Sequence, residues 1–184
     1  MLSSIDLAKF RPFTDKAEYA IQRIQGGWHD TVLLDLTLEP ESLLKRLYPK
    51  FMKVKFGHTD RKILNEIGPG VEKLLTDMES LDVEDGYADL VAIRGCNFSE
   101  NLIKELYRAT RTKGYLLIYM EDQDRGELSS RRSTSLRDMF VNEGYREIGF
   151  VAHDVIKKNK LLSMIGLNLV EKAKYATALY QKPQ

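Results

Sequence analysis

The chain predicts an α/β fold: a mostly parallel seven-stranded sheet with helices on both faces. Three observations predict it. Short apolar runs alternate with segments of helical spacing from Thr31 to Met120. Two alternating, strand-like runs follow one another near the end, as an antiparallel hairpin at a sheet edge would. Between them, Val71 to Glu121 strings together an apolar strand ending in an acid, an acidic turn, a buried strand, a capped helix, a glycine turn and another buried strand. That order is half of a doubly wound sheet, a design that holds ligands at the carboxyl ends of its strands.

The elements run in order. Residues 1–30 form an N-terminal helical arm, and 31–184 a single globular unit. In the arm, Ala17, Ala20, Ile21 and Ile24 recur at helical spacing. Asp15 with Glu18 makes a capping box, and Gly26-Gly27 stops the helix. Thr31 to Leu36 is a buried strand. Ser42 to Tyr48 is a short helix closed by Pro49. Met52 to Phe56 is a strand, and Asp60 to Ile67 a helix ended by Gly68-Pro69-Gly70. Val71 to Thr76 is the third strand. Tyr87 to Ile93, nearly all apolar, is the fourth and central. Ser99 caps a helix with the stripe Leu102, Ile103, Leu106, Tyr107 and Thr110. Gly114 fits the left-handed position after it, and Tyr115 to Met120 is the fifth strand. Ser133 or Ser135 begins a helix with Leu136, Met139 and Phe140, ended by Gly144. Arg146 to Val155 and Tyr175 to Gln181 are the last strands.

Composition narrows the function classes. At 184 residues, with 43% hydrophobic and 30% charged residues, the chain can bury a core without metals or disulfides. A net charge of +1 supplies no long-range field, which argues against nucleic acid or an acidic membrane as partner. The single cysteine, Cys96, excludes an internal disulfide and suggests a reducing compartment; its bland reading is a buried thiol. The first 30 residues show no export signal, and the apolar run Leu161 to Val170 is about half of what a bilayer crossing needs. The expectation is a cytoplasmic protein with no membrane partner.

The segments DMESLDVEDGYADLVAIRG, ELYRATRTKGYLLIYME and LRDMFVNEGYREIGF resemble the third-to-fourth-strand turn, the fifth strand with its helix, and the last helix and sixth strand of class I S-adenosylmethionine-dependent methyltransferases, of the type 11-like domain kind. The resemblance covers Thr31 to Lys182. It implies a Rossmann-like sheet of order 3-2-1-4-5-7-6 with only strand 7 antiparallel. It also implies S-adenosylmethionine as cofactor and an unknown small molecule or protein as substrate.

Carried over position by position, the resemblance gives a mixed cofactor site. The family's motif I is an acid followed by glycines at the second, fourth and sixth places, where backbone amides approach the cofactor. Here the acid is Asp35, but the glycine places hold Thr37, Glu39 and Glu41, with Pro40 between. At the end of the second strand, where the family has a ribose-binding acid, stands His58, with Asp60 two places on. A histidine cannot imitate a bidentate carboxylate. Asp77 and Met78 match the pair that holds the adenine amino group and stacks on its ring. Arg94 follows the fourth strand on the substrate side. It holds an anionic substrate or pairs with Glu121 or Asp122. The cofactor-binding candidates are therefore Asp35, Thr37, His58, Asp77, Met78 and Arg94. No catalytic base is assigned, and no resident metal is expected.

Other features have plain readings beside functional ones. A metal held by His58, Asp60 and Asp77 is weaker than the family reading, because no two of these ligands share a metal-binding motif. Glu79, Asp82, Glu84 and Asp85 read as a solvated acidic turn, and Arg125, Arg131, Arg132 and Arg137 as a solvated loop and helix start. Leu161 to Val170 either packs on the core or forms a contact with a second copy or a partner. The second class of function is a non-catalytic binding or assembly module on the same fold.

Overall fold

The computed structural model describes residues 4–24, 31–37, 45–94, 98–122, 137–158 and 170–184. Seven strands form one sheet of order β3-β2-β1-β4-β5-β7-β6. They are β1 (Val32–Leu36), β2 (Lys53–His58), β3 (Glu72–Leu75), β4 (Ala88–Arg94), β5 (Thr110–Asp122), β6 (Arg146–Lys158) and β7 (Val170–Gln181). β1 to β5 pair in parallel, and β7 runs antiparallel between β5 and β6. β1 lies inside the sheet, between β2 and β4. The expected order and strand directions are those found.

Alternation along the strands feeds two cores. Leu33, Val54, Leu90, Ala92, Leu117 and Tyr119 face helix α1 (Ser4–Arg23), whose Phe13, Ala17, Ala20 and Ile21 are buried against them. Burying a side chain the size of Phe13 or Ile21 contributes about 1.5–3 kcal/mol each. A 3-10 helix (Lys45–Lys50) adds Leu47 to this face. Helix α2 (Arg61–Glu66) brings Leu64 onto Phe56, which alternation puts on the same side. Leu34, Leu36, Val91, Ile93, Leu116 and Ile118 point the other way. They are covered by helix α3 (Glu100–Ala109) and by Phe140 of helix α4, residues 137–142.

Local rules predict some ends and miss others. Asp60 caps α2 by accepting from the Lys62 amide, and Ser99 caps α3 by accepting from the Leu102 amide at 3.1 Å. Gly144 ends α4 at φ 111°. The capping box at Asp15 is not a helix start: α1 begins at Ser4 and passes through Pro12. The buried stripe from Phe13 onward outweighs the local penalty of proline. Pro49 lies inside the 3-10 helix and does not close it.

Gly114 is not in the left-handed region; Lys113 is, at φ 66°. Gly114 answers a different need. A Cβ there would fall 2.8 Å from the Arg111 carbonyl oxygen and 3.0 Å from that of Asp89. It sits where the β4–β5 register shifts and two backbones close together. The expected features at Gly26-Gly27, Glu39 to Glu41, Cys96, Arg125, Arg131, Arg132 and Leu161 to Leu169 lie outside the described residues. No described helix is long and apolar enough to cross a membrane.

Candidate functional site

Four of the six candidate residues share one face at the carboxyl edge of the sheet. Asp35 follows Leu33 by two, His58 follows Phe56 by two, and Arg94 follows Ala92 by two, so strand alternation turns all three toward the α1 side. Thr37 lies just beyond β1. β1 separates β2 from β4, and neighbouring strands stand about 4.8 Å apart.

Asp35 is fully buried. Its Oδ1 accepts the Thr37 backbone N–H at 3.0 Å, and its Oδ2 accepts the Tyr48 hydroxyl at 2.7 Å. A buried carboxylate needs such donors. Thr37 is also fully buried. The Thr37 amide is thus turned inward onto Asp35, and the Thr37 side chain is buried beside it.

His58 ends β2 with 6% of its surface exposed. Its Nδ1 accepts the Asp60 backbone N–H at 2.8 Å, which assigns the proton of the neutral ring to Nε2. The ring stacks on Phe56, with 6.4 Å between centroids. Asp60 is occupied in capping α2. Among the described residues no group of three His, Cys, Asp or Glu side chains is disposed to hold a metal.

Arg94 is half-buried at the end of β4, its guanidinium 5.3 Å from the Tyr119 ring centroid. Phe13 of α1 meets the same ring edge-on at 5.7 Å. The N-terminal helix thereby backs the platform on which Arg94 rests. The side chains of Glu121 and Asp122 lie outside the description.

Asp77 and Met78 stand apart from this group, in the turn after β3. Asp77 is exposed, and its Oδ1 accepts the Glu79 backbone N–H at 2.9 Å. The Ser80 N–H closes the turn on the Asp77 carbonyl at 3.2 Å. The Thr76 hydroxyl braces it from within, contacting the Asp77 and Ser80 carbonyls and accepting from the Asp82 amide. Met78 is half-buried against the core on the α3 side.

No helix separates β3 from β4; α3 holds that connection instead. Glu105 accepts the Leu81 N–H at 2.8 Å. Arg108 donates to the carbonyls of Leu81 and Val83, both at 2.7 Å, and to Asp85 and Glu105. Arg108 holds the Glu105 carboxyl below the usual carboxylate range, with burial opposing and the Leu81 amide assisting. The acidic residues 79, 82, 84 and 85 are exposed, as a solvated turn would be, but Glu79 and Asp85 are tied to α3. Arg137 is paired with Glu147.

Sequence reasoning missed Tyr48, Glu79, Ser99 and Tyr119 as parts of this edge. Ser99 was legible as a cap but not as a partner of Glu79. Their contacts cross separations of 13 to 25 residues, and no local spacing announces them.

No protein-family model matches the chain, and no curated protein matches it in sequence. Solved structures do. A candidate methyltransferase from Bacillus halodurans superposes with a TM-score of 0.71 at 13% identity, over 93% of this chain and 100% of that one. A candidate sarcosine dimethylglycine methyltransferase from Galdieria sulphuraria gives a TM-score of 0.69 at 9% identity, over 96% and 86%. Phosphoethanolamine N-methyltransferase 2 of Haemonchus contortus, solved with S-adenosyl-L-methionine, gives 0.61 at 14% identity, over 92% of this chain and 53% of that one. With that strand order, the antiparallel seventh strand and these likenesses, the chain has the fold of the class I S-adenosylmethionine-dependent methyltransferases.

Proposed function

We propose that this chain is a methyltransferase-type protein that binds S-adenosylmethionine chiefly by its adenosine end, through a divergent cofactor loop. The observation that carries the reading is the braced turn at Asp77. It offers an exposed carboxylate at the end of β3, with Met78 beside it as an apolar surface for a ring. His58, with Nε2 as donor, stands at the end of the next strand for a ribose hydroxyl. The methionine end meets Thr37 in place of glycine, so binding is weaker than a glycine loop would give. S-adenosylmethionine, when bound, supplies an electrophilic methyl group. The protein's part is then to position and shield an acceptor at the α1 side of the edge, where Arg94 suits an anionic group. The acceptor is a small molecule or a segment of a partner protein.

Titration calorimetry with S-adenosylmethionine and S-adenosylhomocysteine tests the reading. Heat from both ligands, lost in Asp77→Ala, supports it. Absence of heat in the unaltered protein, or unchanged binding in the variant, overturns it. One observation favours a second reading, a non-catalytic binding or assembly module: the Thr37 amide is already spent on Asp35. Absence of binding leaves that reading in place.

A further inference from the structure

We infer that Glu79 is a positioning residue. It ties the Asp77 turn to the N-cap of α3, and so couples the adenosine end of the site to the start of that helix. The inference rests on the reading of Asp77 as a ligand group. Its basis is a chain of three bonds. Ser99 donates its hydroxyl proton to Glu79 Oε1 at 2.5 Å. The Glu79 backbone N–H donates to Asp77 Oδ1 at 2.9 Å. Ser99 Oγ accepts the Leu102 N–H at 3.1 Å, so the same oxygen is the N-cap of α3. The N-cap residue of α3 therefore sets where the Glu79 side chain lies, and the Glu79 backbone amide in turn orients the Asp77 carboxylate.

The geometry gives the tether a purpose. Thr76, just after β3, braces the turn from the sheet side, and a tether on its other side must come from outside the connection. Glu105 and Arg108 fix residues 81 to 85 further along, but Asp77 to Ser80 lie beyond their reach. Met78 packs on the α3-side core, and among the described residues the hydrogen bond from the α3 side to that part of the loop is that of the cap residue Ser99. Coupling of this kind is reciprocal. A ligand on Asp77 steadies the start of α3, and a steadied α3 favours the ligand.

The test compares Glu79→Ala with Glu79→Gln, because glutamine keeps the acceptor oxygen and loses only the charge. Neither change touches the cap bond from Ser99 to Leu102. Calorimetry with adenosine and S-adenosylhomocysteine is expected to show roughly fivefold weaker binding of both to Glu79→Ala, the effect of one exposed charge-assisted hydrogen bond. Glu79→Gln is expected to bind within about twofold of the unaltered protein. Equal binding by all three proteins overturns the inference. Equal weakening in both variants also overturns it, since charge and not the bond would then be the cause. Hydrogen exchange without ligand supplies the independent arm. Glu79→Ala should speed exchange at the amides of residues 79 to 81, and Glu79→Gln should not. If the unaltered protein binds no adenosine compound, the adenosine reading fails, and this arm alone decides the tether. Unchanged exchange in Glu79→Ala removes it.

Discussion

The Tyr48 hydroxyl donates at 2.7 Å to the fully buried carboxylate of Asp35, across 13 residues of sequence. The bond joins the 3-10 helix to the end of β1. The Thr37 amide donates to the other oxygen of the same carboxylate, so both oxygens serve the fold's own hydrogen bonding.

Tyr48→Phe removes one donor and leaves the carboxylate buried. The expected loss is about 1–3 kcal/mol, the cost of stranding part of a buried acceptor. Urea denaturation measures it, as a lower midpoint with an unchanged slope. A midpoint equal to that of the unaltered protein would mean that water reaches Asp35.

Arg108→Ala strips donors from the Leu81 and Val83 carbonyls and from Glu105 and Asp85. A loss of about 2–3 kcal/mol is expected, discounted for the partial exposure of the acids. The variant should also change the acid limb of stability. Because Arg108 depresses the Glu105 carboxyl in the folded state, the pair's contribution is present above the ordinary glutamate range. It is lost as pH falls from that range through the lower folded value. In that window the unfolded chain binds more protons, so stability rises with pH. Denaturation midpoints across the acid range should show a shallower rise in Arg108→Ala.

Gly114→Ala should be costly where Gly68→Ala is not. The new Cβ at 114 meets three carbonyl oxygens, of Arg111, Asp89 and Ala88, at 2.8 to 3.2 Å, and these are backbone atoms at the β4–β5 register shift, not the far ends of flexible side chains. At Gly68 nothing lies within 4 Å. The expected loss at 114 is about 1–3 kcal/mol, that of an overpacked site. At 68 the change should fall within about 0.5 kcal/mol of zero. Thermal melting of the two variants separates them; equal melting would show that the β4–β5 register can relax.

The sequence by itself determined the sheet. Apolar runs at Leu33 to Leu36, Leu90 to Ile93 and Leu116 to Ile118, with Ser99 as a cap, are local signals of an α/β sheet, and the family resemblance implied the strand order that the structure has. What the sequence left open was the company each residue keeps. Proline at 12 and glycine at 114 carry local meanings that tertiary packing overruled, through the buried stripe of α1 and the approach of β4 to β5. Asp35 is held by the Tyr48 hydroxyl and the Thr37 amide, and Glu79, which read as a solvated acid, by the Ser99 hydroxyl. Hydrogen bonds between side chains many residues apart depend on how strands and helices dock. Periodicity records only which face a residue takes, so these partnerships were decided by the tertiary structure alone.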